Sequence, residues 1–143
     1  MKILEKSKIS NLIKIKGPLM MIDSIQNYTI KKNILTKFKV KKNSWFYKYH
    51  LINKPIMPGI LIEECMFQSA VCLLYLDKKN IDSEMLLLST NSKFYGAISG
   101  ENKLVIQTKL LKIKKKMIYF KSQVSDGLKI KCKSDFVIFN KGS

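Results

Sequence analysis

The stretch His50 to Gln68, HLINKPIMPGILIEECMFQ, decides the reading of this chain. It carries the only histidine, two of the three prolines, an adjacent pair of glutamates and the start of the longest apolar region. Pro58 suits the first position of a helix, where its missing N–H would have no partner in any case. A helix is therefore expected from Pro58 or Gly59 to about Leu76. Advanced at 100° per residue, its apolar side chains point in every direction, which predicts burial on all sides. Glu63, Glu64 and Gln68 interrupt the apolar run, so no membrane span is expected. Glu64 and Gln68 share a helix face, and Glu63 points about 100° away from Glu64.

Outward from this helix, the chain of 143 residues, 46% of them apolar, has the size of one ordinary domain, 1–143. The formal net charge of +17 attracts acidic partners. Every basic residue is a lysine, and the lysines alternate with apolar residues as on solvated strand faces. Without arginine, the usual residue for bidentate phosphate and base recognition, nucleic acid is not the expected partner. Either a solvated surface or a docking face for an acidic protein accounts for the charge. Cys65, Cys72 and Cys132 lack metal-ligand spacing and read as small core residues of a reduced, cytoplasmic protein. No export signal is read in the first ten residues.

Ile9, Leu12 and Ile13 after Ser7, a candidate cap, predict a short amphipathic helix stopped by Gly17 and Pro18. Residues 19–25 are too apolar for a surface loop, and Asp23 there is either a turn acceptor or part of a site. Alternation from Asn33 to Lys41 predicts a half-buried strand with Ile34, Thr36, Phe38 and Val40 inward. The aromatic group Trp45, Phe46, Tyr47 and Tyr49 reads as core or dimer packing, or as the lining of a ligand tunnel. After a polar connector over 77–84, Met85 to Ser89 is expected as a buried strand. A meander follows: Leu104 to Ile113, a lysine turn, Met117 to Ser125, a hairpin at Asp126-Gly127, and Leu128 to Phe139 with Leu128, Ile130, Cys132, Ser134, Phe136 and Ile138 on one face. A buried helix with one-sided antiparallel strands makes an α+β fold, most simply a sheet wrapped around the helix.

The central segment resembles the signature of the FabZ-type β-hydroxyacyl-[acyl carrier protein] dehydratases, roughly H-F-P-x-x-P-x-M-P-G-x-L-x-x-E-A-M-x-Q. His50, Pro55, Met57, Pro58, Gly59, Leu61, Glu64, Met66 and Gln68 fall on matching positions. PLMMIDSI (18–25) and NSKFYG (91–96) resemble flanking family segments. The chain departs from the pattern at Tyr49, where glycine is usual, at Leu51 and Ile52 for phenylalanine and proline, at Tyr95 for arginine, and in the turn Ser99-Gly100-Glu101. The resemblance implies a hot-dog fold, a homodimer or an oligomer of dimers paired edge to edge, and a substrate presented by acyl carrier protein. It also implies dehydration of a 3-hydroxyacyl thioester to the 2-enoyl thioester in fatty acid or related acyl-chain synthesis, with no cofactor or metal.

Such an elimination needs a base for the C2 proton, an acid for the departing hydroxyl and a donor to the thioester oxygen. His50 belongs to the residue type whose charge change falls near neutral pH and is the candidate base. Glu64, on an apolar helix, is the candidate acid, kept protonated by burial. The Gly59 N–H, at a helix start where donors lack partners, is the candidate thioester donor. Gln68 would orient Glu64, and Phe46, Tyr49, Leu51 and Met57 are candidate tunnel residues. His50 could instead be structural, Gly59 could serve close packing, and Glu63 reads as an acid favoured near the helix start. A hot-dog thioesterase and a non-catalytic acyl or carrier-binding subunit are the alternative functions. No nucleotide loop, catalytic triad or metal cluster competes with them.

Overall fold

The computed structural model describes residues 3–142. Among them, β1 (Leu4–Glu5), β2 (Ser24–Thr29), β3 (Asn33–Val40), β4 (Glu84–Phe94), β5 (Asn102–Lys114), β6 (Met117–Ser125) and β7 (Ile130–Gly142) form one antiparallel sheet in the order β1-β2-β3-β5-β6-β7-β4. Helix α1 (Lys6–Ile13) closes one end, and α2 (Gly59–Leu76) lies against the inner face of the sheet. A long antiparallel sheet wrapped around one central helix is the hot-dog architecture.

Helix α2 follows the expected bounds, with Pro58 as its N cap. Leu61, Ile62, Cys65, Met66, Ala70, Val71, Cys72, Leu73, Leu74 and Tyr75 are all buried, so from its second turn onward the apolar faces meet protein in several directions. By length and composition α2 could cross a membrane, but 61% of it is buried inside the protein. Inward-facing residues of β3, namely Ile34, Thr36, Phe38 and Val40, pack on it as the alternation predicts. The polar atoms carried inward find each other: Thr36 Oγ1 lies 2.6 Å from Ser69 Oγ, and Thr108 Oγ1 lies 2.7 Å from Ser122 Oγ. Such pairing removes most of the desolvation cost of burying a hydroxyl.

Four expectations need correction. Helix α1 begins earlier than Ser7, with Glu5 at the cap position, and ends at Lys14, which takes the left-handed conformation at φ 59° before Gly17 is reached. Strand β2 was not anticipated beyond its apolar start, because from Gln26 on it sits near a sheet margin and buries little. Leu128 is 94% exposed: Asp126 Oδ1 accepts hydrogen bonds from the N–H groups of Leu128 and Lys129, which places Leu128 in the turn and starts β7 two residues later. Strand β4 is the largest difference. It runs on to Phe94, only Met85 in it is buried, and Leu86, Leu87 and Leu88 are exposed. The reason is position, since β4 is a marginal strand and pairs only with β7 among the described residues.

Candidate active site

Trp45–Lys48 forms a short 3-10 turn, after which the chain enters the loop carrying His50. Leu51 follows with φ 47°, in the left-handed region that a branched side chain rarely adopts. This reversal brings the His50 ring back onto its own loop, where Nδ1 stands 3.1 Å from the carbonyl oxygen of Ile56. A carbonyl only accepts, so Nδ1 is the donor in this contact.

Ile56 belongs at the same time to a cleft of 480 Å³ lined by Ile56, Met57, Gly59, Ile62 and the segment Phe94–Ala97. Met57 is buried there, and its N–H donates to the Ile98 carbonyl at 2.8 Å, which ties the loop to the segment after β4. Gly59 opens α2, and Pro58 provides no side-chain cap. The first N–H groups of the helix point out of its end, where partial positive charge accumulates. A methyl group at Gly59 would stand 3.0 Å from Phe94 Cζ. Glycine is thus what lets the Phe94 ring lie on the helix start, as the close-packing reading of Gly59 expects.

Glu64 lies in the second turn of α2 with its carboxyl half-buried, and desolvation raises its pKa from the ordinary 4.5 while the hydrogen bond from Gln68 partly opposes the rise. Gln68 is fully buried. Its Nε2 donates to Glu64 Oε2 at 2.7 Å and to the Leu19 carbonyl at 2.7 Å, while its Oε1 accepts from the Met21 N–H at 3.0 Å. The apolar segment 19–22 is therefore the floor under the carboxylate's support. Asp23 is explained locally: it accepts from the Lys39 N–H at 2.6 Å and pairs with Lys6 at 3.4 Å.

The structure thus gathers Met57 and Gly59 in one cleft with His50 tethered at its rim through Ile56, and joins Glu64 to Gln68. The hydrogen bonds of His50 and of Glu64 belong to separate sets within one chain. Of the candidate tunnel residues, only Met57 lines the cleft. Phe46 is 1% exposed and packs edge-on against Trp45 and Tyr47, a core position. Tyr49 and Leu51, with Ile52, face solvent instead. Ile62, Phe94, Tyr95 and Ala97 were not anticipated as lining residues, although Phe94 and Tyr95 stand in the NSKFYG segment. Glu63 is not a first-turn acid: its carboxylate accepts from Ser92 and Thr90 on β4. Among the described residues no three His, Cys, Asp or Glu side chains gather as a metal site.

The sheet, its enclosed helix and this cleft at the helix start define a hot-dog protein, and the chain belongs to the FabA-like domain family, whose model matches residues 15–131. It is 27% identical over 136 residues to the 3-hydroxyacyl-[acyl-carrier-protein] dehydratase FabZ of Buchnera aphidicola from Schizaphis graminum, covering 93% of this chain and 90% of that one. It is 26% identical over 136 residues to the FabZ of Lactiplantibacillus plantarum, covering 94% and 92%. Among solved structures, the dehydratase heterocomplex ApeI:P from Xenorhabdus doucetiae superposes with a TM-score of 0.80 at 17% identity, over 94% of this chain and 91% of that one. Zebra fish thioesterase superfamily member 2 superposes with a TM-score of 0.71 at 9% identity, over 96% and 95%. The fold is thus shared by dehydratases and thioesterases, and the sequence likeness lies with dehydratases.

Proposed function

We propose that this protein dehydrates 3-hydroxyacyl groups carried as thioesters on an acyl carrier protein, giving the 2-enoyl thioester and water in cytoplasmic acyl-chain synthesis. The observation that carries this reading is the carboxyl of Glu64, which burial keeps inclined to the protonated form while Gln68 fixes its direction. A thioester oxygen placed in the cleft receives the Gly59 N–H, and the acyl chain lies along Met57, Ile62 and Phe94. His50 Nε2 takes the C2 proton, and negative charge moves to the thioester oxygen, where the helix start stabilises it. Electrons return from that oxygen to form the C2–C3 double bond as Glu64 protonates the leaving hydroxyl. One water departs, and the proton held by His50 restores Glu64.

The reading includes a homodimer in which His50 of one protomer meets Glu64 of its partner. The separate hydrogen-bond sets of the two residues, the open edge of β4 and the exposed Tyr49, Leu51 and Ile52 beside His50 all support it. An unpaired strand edge and uncovered apolar side chains next to a reactive residue are what a pairing protomer covers. The net charge of +17 suits an acidic carrier.

Purified protein incubated with 3-hydroxyacyl carrier protein of several chain lengths should yield a carrier species one water lighter by mass spectrometry. Release of free acid would point to thioester hydrolysis instead, and carrier binding without turnover at any length to a binding subunit.

A further inference from the structure

Gly59 and Glu63 stand one turn apart on α2 and so face the same way. Thr90, Ser92 and Phe94 alternate along β4 and share the strand face turned toward them. The two faces meet at two points. The Phe94 ring lies on Gly59, and the Glu63 carboxylate accepts from Ser92 Oγ at 2.6 Å and Thr90 Oγ1 at 3.1 Å through the same oxygen. Ser134 of β7 backs this contact, its Oγ standing 2.8 Å from Ser92 Oγ and 3.1 Å from Thr90 Oγ1. A half-buried carboxylate held by two hydroxyls, themselves braced by a third, is a directional joint between helix and sheet rather than a solvated charge.

We propose that Glu63 is a positioning residue: clamped by Ser92 and Thr90, it fixes the roll of α2 over β4 and so holds the Gly59 N–H in the cleft and Glu64 in line with the leaving hydroxyl. The proposal rests on the dehydratase reading for its kinetic consequence. Glu64 sits about 100° around the helix from Glu63, so any roll that loosens one moves the other. Helix side chains end about 5 Å from the axis, and a roll of about 10° displaces a carboxyl by about 1 Å. Errors of that size at a reacting group can cost about a hundredfold in rate. Strand β4 is a marginal strand, so the same joint links one sheet edge to both reacting positions.

The test compares Glu63→Ala, Glu63→Gln and the double variant Ser92→Ala with Thr90→Val in ¹⁵N-labelled full-length protein. Steady-state kinetics with 3-hydroxyacyl carrier protein and the amide resonance of Gly59 are read together. Glu63→Ala should lower kcat about ten- to a hundredfold with KM nearly unchanged, and should shift the Gly59 amide. Glu63→Gln, whose amide oxygen still accepts from Ser92, should restore both, and the Ser92 and Thr90 double variant should reproduce the alanine effect without adding to it. Should Glu63→Ala fail to fold, the glutamine and double variants carry the same comparison. If the wild type turns over no 3-hydroxyacyl substrate, the dehydratase reading falls while the Gly59 resonance still decides the positioning role. An unmoved Gly59 amide in folded Glu63→Ala or in the double variant, or wild-type kcat in either, would overturn the proposal.

Discussion

Gln68 Nε2 donates to Glu64 Oε2 at 2.7 Å from the next turn of the same helix, while its other bonds reach the backbone of Leu19 and Met21. One buried amide therefore joins the acid candidate to a segment 47 residues earlier in the chain. Replacing Gln68 with leucine keeps the volume approximately and strands the buried Met21 N–H, the Leu19 carbonyl and one side of the Glu64 carboxyl. Each unsatisfied group costs about 1 to 3 kcal/mol, so Gln68→Leu should lose about 3 kcal/mol in urea unfolding. A loss within about 0.5 kcal/mol would mean that segment 19–22 is held by its apolar contacts alone.

The raised pKa of Glu64 has a stability consequence whose sign is fixed. Below the unfolded-state value the carboxyl is protonated in both states and has no effect. Above it the unfolded chain releases the proton before the folded one does, so folding loses stability as pH climbs from about 4.5 to the higher folded value. Glu64→Gln keeps an acceptor for Gln68 and cannot ionise. Its stability relative to wild type should therefore be greater at pH 7 than at pH 4, measured by urea unfolding at both. The reverse trend would show a carboxylate stabilised in its charged form.

Gly59→Ala forces the Phe94 ring to move, since a methyl would stand 3.0 Å from Cζ. Phe94 is 49% exposed, so the ring has room to swing, and stability should change by no more than about 1 kcal/mol. The displaced ring redraws the cleft, and turnover should fall. Adding Phe94→Leu to Gly59→Ala should recover part of it. Unchanged turnover in the single variant would separate the ring from the substrate path.

Cys65, Cys72 and Cys132 are free and buried, and burial raises all three thiol pKa values, that of Cys132 to about 11. Thiolate is the reactive form. Iodoacetamide at pH 8 should leave native protein unlabelled over the time in which urea-unfolded protein takes up three equivalents, read by mass. Rapid native labelling would indicate local opening of α2 or β7.

Much of this architecture is legible in local pattern. Helix α2 announces itself through Pro58 and an apolar run, and β3 and β7 from Cys132 onward through clean alternation, because in each the burial is set by the element's own two faces. Strand β4 is not legible in that way. Leu86 to Leu88 look like core, and their exposure follows from a place at the sheet margin that only the whole topology determines. The same limit hides half of the site. The spacing of Glu64 and Gln68 gives their contact directly, since both ride one helix. The bonds from Glu63 to Ser92 and Thr90 span 29 and 27 residues and depend on strand register, for which the sequence holds no short-range signal. Phe46 reads in sequence as core or as tunnel lining and is buried in the core of the chain, since aromatic character marks burial without saying which side of a wall is buried.

The central claim is that His50 and Glu64 act together across a two-fold axis. His50→Ala and Glu64→Gln should each be nearly inactive alone. Mixed in equal amounts, dissociated and reassembled, they should form mixed dimers in about half of all pairings, each with one intact and one doubly altered site. Recovery of about a quarter of wild-type dehydration, measured as 2-enoyl carrier protein formed after subunit exchange is verified, is the predicted result. Activity that stays at background with both variants folded and exchanged would contradict a site shared between protomers.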